Sequence, residues 1–221
     1  MGQSERGLAQ FGLLHAGGAE ARRRSVGAMD AVIRSETPDD ADAVRAVHLA
    51  AFPDEPVVAD LPARLRERVA PLECLGVVAE VDGAVAGHVQ LSHGWVDARE
   101  RLVDIYVLAP LGIHPDHQRI GLGGALVRAA LDAAAAAGVP YVVLEGDPGY
   151  YRRHGFVPGV ELGLRRPSLR IPTPASQAVA LPAREAWMTG TIVYAEVFWA
   201  HDAVGLRDPS LTEYERALGT G

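Results

Sequence analysis

The stretch LGIHPDHQRIGLGGALVRAAL, residues 111–131, is the densest in signals. It leaves an apolar run, turns at His114 and Pro115, and enters a glycine-rich segment at Gly121, Gly123 and Gly124. Leu122, Leu126, Val127, Ala130 and Leu131 then recur at helical spacing. The glycines therefore stand at a helix N-terminus, where unpaired N–H groups point outward and the helix dipole favours negative charge. An anion cradle is one reading of such a turn, and a tight strand-to-helix connection that binds nothing is the other.

Two common anion loops do not fit. The dinucleotide fingerprint GxGxxG needs a sixth-position glycine that is missing here. The mononucleotide loop needs a lysine, and all 21 basic residues of this chain are arginine. The same absence excludes Schiff-base chemistry on a lysine amine. What remains is QxxGxG, spelled Gln118, Arg119, Ile120, Gly121, Leu122 and Gly123.

Outward from the turn, the chain alternates strand and helix signals. AVIRSE, from Ala31, leads into Thr37, Pro38 and Asp40, a helix start with N-cap, first-turn proline and capping carboxylate. The spacing predicts a helix from Pro38 to about Ala51 and a second from Asp60. LGVVAEV and AVAGHVQLSHGWV flank Asp82 and Gly83, a tight hairpin. The run RLVDIYVLAPLGIH contains Pro110, which cannot donate to a sheet ladder and points to a bulge or splayed edge. An alanine-rich helix to Ala137 ends at Gly138, YVVLEG reads as a buried strand, and Asp147 and Pro148 open a short helix closed by Gly155. Beyond Phe156, GVELGL and MTGTIVYAEVFWA read as strands, with a lid-like proline-rich loop at 167–182 between them.

The segment LGIHPDHQRIGLGGALV resembles the pyrophosphate-binding motif of the GCN5-related N-acetyltransferases, and GDPGYYRRHGF, residues 146–156, resembles that family's later motif. Within the family the wording is most like acetyltransferases of the YhbS type. The resemblance covers residues 31–160 well and the remainder loosely. It implies an α/β (α+β) fold whose mixed, mostly antiparallel central sheet splays between its fourth and fifth strands, flanked by helices. It also implies acetyl-coenzyme A as cosubstrate, without a metal, and transfer of acetyl to a primary amine of a small molecule, peptide or protein. A single domain over 30–205 is expected, after an extension without regular structure at 1–29 and before a tail at 206–221.

By that resemblance, the main chain of Gln118, Arg119, Ile120, Gly121, Leu122, Gly123 and Gly124 holds the pyrophosphate, and Leu111, Gly112 and Ile113 pair with the pantetheine arm. Tyr151 matches the tyrosine that protonates the departing thiolate and also meets the coenzyme; Tyr150 is the less favoured neighbour. The general base is open: Asp104 is the one carboxylate in the fourth-strand text, while Glu145 and Asp147 close the fifth strand, Asp147 with a competing role as helix cap. His88, His93 and His114 titrate near neutrality but more often serve structure. Trp187, Tyr194, Phe198 and Trp199 are candidates for an acceptor pocket or for ordinary packing. A coenzyme-binding module that transfers nothing, and a transferase of longer acyl chains, stay open beside the acetyltransferase.

Bulk composition narrows the classes further. The 28 acidic residues against 21 basic ones give a formal charge of −7, which favours neither nucleic acid nor an anionic membrane as partner. Cys74 alone cannot form an intramolecular disulfide or a multi-cysteine metal site, a cytoplasmic signature. The eight histidines show no HxxxH or HExxH spacing. A monomer or homodimer is expected.

Overall fold

The computed structural model describes residues 22–26 and 29–219. One sheet of ten strands runs through the molecule: β1 (Arg22–Val26), β2 (Met29–Ser35), β3 (Leu75–Val81), β4 (Ala84–Ala98), β5 (Leu102–Ile113), β6 (Tyr141–Glu145), β7 (Val157–Pro158), β8 (Leu164–Arg165), β9 (Ser176–Ala180) and β10 (Gly190–Val193). The main path is β1-β2-β3-β4-β5-β6-β9-β7, with β10 on the far half of β4 and β8 on β10. The helices are α1 (Ala41–Ala51), α2 (Val57–Arg66), α3 (Leu122–Ala136), the single turn α4 (Pro148–Tyr151), α5 (Glu196–Ala200) and α6 (Ser210–Leu218).

Local chemistry accounts for most boundaries. Thr37 and Asp40 form a reciprocal capping box, and a 3₁₀ turn at Pro38–Asp40 leads into α1. Asp82 and Gly83 both take positive φ, 51° and 81°, so β3 and β4 join through a tight primed turn. Gly138, at φ 74°, ends the alanine-rich helix as the spacing predicts.

Alternation along the strands builds two cores, one on each sheet face. On β5, Tyr106 and Leu108 join α3 residues Leu122, Leu126 and Ala130 on one side. Ile105 and Val107 join Leu61 and Leu65 of α2 and Phe198 of α5 on the other.

The expected splay is present and has a simple origin. Beside β4, the register slips between Val89↔Leu111 and Leu91↔Leu108, so β5 carries one extra residue in the span holding Ala109 and Pro110. The parallel pairing of β5 with β6 covers only Tyr106↔Val142 and Val107↔Val143. Beyond Val107 the two strands diverge. They are the fourth and fifth strands counted from β2; the N-terminal β1 shifts the count by one.

Six expectations are corrected. Residues 22–26, placed in an unstructured extension, pair antiparallel with β2 from Arg22↔Ile33 to Val26↔Met29; residues 1–21, 27 and 28 lie outside the described ones. The loop at 167–182 is not loop throughout: β9 lies inside it and adds to the free edge of β6 from Glu145↔Ser176 to Tyr141↔Ala180. The supposed strand GVELGL is mostly a 3₁₀ turn, and MTGTIVYAEVFWA is strand only to Val193 before turning into α5. Tyr194 and Phe198 are four residues apart, a spacing that shares a face in a strand and in a helix alike, so periodicity did not separate the two. Finally, residues 210–218 of the expected tail form α6, and the second helix starts at Val57 rather than Asp60.

Candidate active site

Two clefts open where β5 and β6 part, and both are walled by β5. The first, about 780 Å³, is lined by Leu111, Gly112 and Ile113, by the turn from His117 to Gly124, and by Arg128, Tyr150, Arg153 and His154. Its glycine turn is built for close approach. Arg119 and Gly121 take positive φ, 62° and 95°, which folds successive N–H groups toward one side. The first hydrogen bond of α3 is Ala125 N–H to Gly121 O, so the N–H groups of Leu122, Gly123 and Gly124 precede the ladder and face outward. Arg119, Arg128 and Arg153 line this cleft, and none of its lining residues is a carboxylate.

The strand wall completes a place for an extended chain of amides. His114 N–H donates to Ala86 O, and pairing continues at His88↔Gly112. By the alternation of an antiparallel ladder, Leu111 and Ile113 then turn their N–H and C=O groups away from β4, into the opening. The Ile113 carbonyl accepts from the Gln118 side chain at 3.2 Å. Gly112 is required for space, since a Cβ there would stand 2.6 Å from Nδ1 of His48.

His48 heads a buried chain that sequence reading missed. Its Nε2 meets Nδ1 of His88 at 2.8 Å, and His88 Nε2 meets Glu36 at 3.1 Å; Arg66 closes on the same carboxylate. The Glu36 carboxylate accepts from His88 Nε2–H, His88 Nδ1 accepts from His48 Nε2–H, and His48 Nδ1 is left as a bare acceptor against Gly112. Burial pushes the His48 pKa down to about 3 and lowers that of His88 as well, so both rings are neutral. No sequence signal joins residues 36, 48, 66 and 88; only β-pairing and helix packing do.

The second cleft, about 610 Å³, lies against Val107, Ala109 and Pro110 and is closed by the α1–α2 connection, by Tyr194 and Phe198, and by residues 202–210. Glu145 stands at its inner end. Gly205 N–H donates to Glu145 Oε2 at 2.8 Å, and the buried Tyr194 hydroxyl stands against the same carboxyl. Burial outweighs the Gly205 contact and raises the Glu145 pKa to about 7. Asp54, Glu55, Asp202 and Asp208 complete a carboxylate-rich wall, with Arg207 the one basic lining residue.

The other candidates fall as follows. Asp104, opposite Trp95 and short of the splay, accepts from buried His93 at 2.7 Å and lines neither cleft. Asp147 caps α4 through Gly149 N–H at 2.8 Å. His114 stays in its exposed turn, 3.4 Å from Asp116 N–H. Tyr150, the less favoured tyrosine, is the one lining the coenzyme-sized cleft, and its hydroxyl sits over Gly123. Tyr151 instead lays its ring on Gly146, just beyond β6, edge-on to Phe156 at 5.6 Å. Burial raises the Tyr151 pKa, which keeps the phenol protonated. Of the aromatic cluster, Tyr194 and Phe198 line the second cleft; Trp187 holds Arg101 over its ring at 4.8 Å, and Trp199 is exposed. Among the described residues no group of three His, Cys, Asp or Glu side chains is placed to hold a metal, and no helix is long and apolar enough to cross a membrane.

A splayed mixed sheet with an N–H-rich turn at the opening defines an acyl-coenzyme A-dependent transferase fold, and the model of the acetyltransferase (GNAT) family matches residues 41–156. The chain belongs to that family. It is similar to the N-acetyltransferase YhbS of Escherichia coli, whose structure holds coenzyme A: 32% identity, 78% of this chain and 93% of that one, TM-score 0.68. A GNAT acetyltransferase from Brucella melitensis in complex with acetyl-coenzyme A is 30% identical over 76% of this chain and 97% of that one, TM-score 0.56. The N-acetyltransferase YjhQ of Escherichia coli (strain K12) is 32% identical over 100 residues, 45% of this chain and 55% of that relative's length.

Proposed function

We propose that this protein transfers acetyl from acetyl-coenzyme A to a primary amine by direct attack. The observation that carries this reading is that neighbouring stretches of β5 wall the two clefts, one N–H-rich and arginine-lined, the other holding a carboxyl group with a pKa near neutrality. The first cleft fits the coenzyme: bare backbone and guanidinium groups for a pyrophosphate, and strand groups of Leu111 and Ile113 turned away from β4 for the pantetheine arm.

When bound, the coenzyme supplies an acetyl thioester; the rest is done by this chain. Glu145 takes a proton from the amine, being about half ionised near pH 7. The outward N–H groups of the β5 wall steady the carbonyl oxygen as it gains negative charge. The amine's N–C bond forms as the C–S bond breaks, and Tyr151 holds the proton that the departing sulfur receives. Burial keeps this phenol protonated at neutral pH, so the proton is in place to be given. Holding both reactants against one strand supplies much of the rate.

The test combines calorimetry and thiol release. Acetyl-coenzyme A and coenzyme A bind saturably to the protein, and Gly123→Asp abolishes that binding. The substitution is in the first turn of α3, where a carboxylate suits the helix dipole; its Cβ displaces the Tyr150 hydroxyl, the far end of one side chain, and a thermal melt checks that the fold is kept while the anion is repelled. Saturable binding without thiol release for any amine would leave a coenzyme-binding module in place of an enzyme. No binding at all would refute the cradle.

A further inference from the structure

The overall charge of −7 is distributed unevenly between the two clefts. The coenzyme cleft is lined by three arginines and no carboxylate. The other cleft is lined by Asp54, Glu55, Glu145, Asp202 and Asp208 against Arg207 alone. That arginine is already spoken for: its Nε and Nη2 both donate to Asp202 at 2.8 Å, and Asp202 also accepts from Arg170 at 3.0 Å. Asp208 accepts from the Thr212 hydroxyl, a neutral donor that leaves its charge in place. The cleft is therefore net acidic.

Its interior is graded as well as charged. At the buried end, the Tyr194 hydroxyl, in a side chain only 5% exposed, faces Glu145, and their contact lowers the carboxyl's pKa against the effect of burial. Gly205 N–H holds Oε2, so Oε1 and this hydroxyl have each other as neighbours at the bottom of the cleft and keep capacity for a donor from outside the chain, which an amine can supply. Val57, Val58, Leu61, Val107 and Phe198 form the apolar walls between. At the solvent side stand Asp54 and Glu55, both exposed.

We infer that the acceptor is an unbranched aliphatic amine with a second cationic group. Its reacting nitrogen sits at Glu145 and Tyr194, its methylene chain lies against the apolar walls, and its distal ammonium meets the Asp54–Glu55 rim. The inference rests on the acetyltransferase reading and narrows its substrate class. A carboxylate at the distal end would face like charge, and an uncharged end would leave the rim's field unused.

The experiment uses the full chain with saturating acetyl-coenzyme A and follows thiol release. The probes are linear diamines of three to six carbons, and, at the best length, the matching primary monoamine, amino alcohol and amino acid with a terminal carboxylate. The diamine is expected to exceed the monoamine and amino alcohol in kcat/KM by about fivefold to tenfold, the range for one or two exposed ion pairs, and the amino acid to be the poorest. The double variant Asp54→Asn, Glu55→Gln brings the diamine-to-monoamine ratio to within about twofold, and raising the salt concentration does the same to the wild type. Equal kcat/KM for diamine and monoamine, or a preference for the carboxylate-bearing acceptor, overturns the inference while leaving the acetyltransferase standing. If no probe is acetylated, calorimetry with the same diamines separates the two. Saturable binding lost in the double variant upholds the cationic site and moves the fault to the transferase reading, and absence of binding overturns the site.

Discussion

Replacing Glu145 by Gln keeps an oxygen to accept from Gly205 N–H and removes only the charge. Folding moves the pKa of this carboxyl from 4.5 to about 7, chiefly by burial. Between those values the unfolded chain has released a proton that the folded protein keeps. Ionising Glu145 in place therefore costs about 3 kcal/mol, at about 1.4 kcal/mol per pH unit, and the wild type loses that stability as pH rises from about 4.5 to 7. The amide has no such cost. Glu145→Gln is thus expected to be more stable than the wild type by about 3 kcal/mol at pH 8, on the order of 6–12 °C in Tm, and by less than about 1 kcal/mol at pH 5. Its turnover is expected to fall by about 10²- to 10⁴-fold, the worth of a positioned base. In the wild type, kcat/KM should rise with pH through a midpoint near 7, because the carboxylate must be free to accept the amine proton. Scanning calorimetry at the two pH values and a pH–rate profile provide the readout. A stability gain that does not change with pH would show that Glu145 is ionised without cost, and unchanged turnover would show that it is not the base.

Three further outcomes follow from other parts of the site. His48, neutral in the fold with a pKa near 3 against 6.5 when exposed, contributes stability that is complete above pH 6.5 and lost as pH falls toward 3, about 2 kcal/mol by pH 5; urea titrations in the Glu145→Gln background, which removes the opposing carboxyl effect, would refute this by showing a flat profile between those two pH values. Gly112→Ala drives a methyl into the buried His48 ring, so a loss of about 1–3 kcal/mol by denaturant unfolding and weaker coenzyme binding by calorimetry are expected; wild-type affinity would show that this wall does not meet the coenzyme. Tyr151→Phe should lower kcat with little change in the coenzyme KM, whereas Tyr150→Phe, over Gly123, should raise that KM; the reverse pattern would transfer the donor role to Tyr150.

Several features were legible from neighbours a few residues apart. The Thr37–Asp40 box, the Asp82–Gly83 turn, the Asp147 cap and the glycines from 121 to 124 each act through main-chain groups within one turn of the residue concerned. Pro110 likewise announced the bulge, because a missing N–H interrupts a ladder whatever the partner. By contrast, β9 has a weak strand sequence, SQAVA, and exists because β6, paired with β5 on one side, has a free outer edge to be filled. The same holds for Tyr150 and Tyr151. Adjacent in sequence, they part only because one ring covers Gly146 and the other reaches Gly123.

By itself, then, the sequence determined the order of elements from Met29 to Gly155, the glycine turn and the family, since each rests on short-range hydrogen bonding or on residue types with few conformational choices. The tertiary structure alone decided which carboxyl is buried in a cleft. Asp104 keeps company with His93 at a half-exposed strand position, whereas Glu145 is buried under Gly205 and Tyr194 from sixty and forty-nine residues away. Desolvation depends on what the whole chain packs around a group, and the carboxylate-rich cleft is likewise gathered from segments between Asp54 and Ser210.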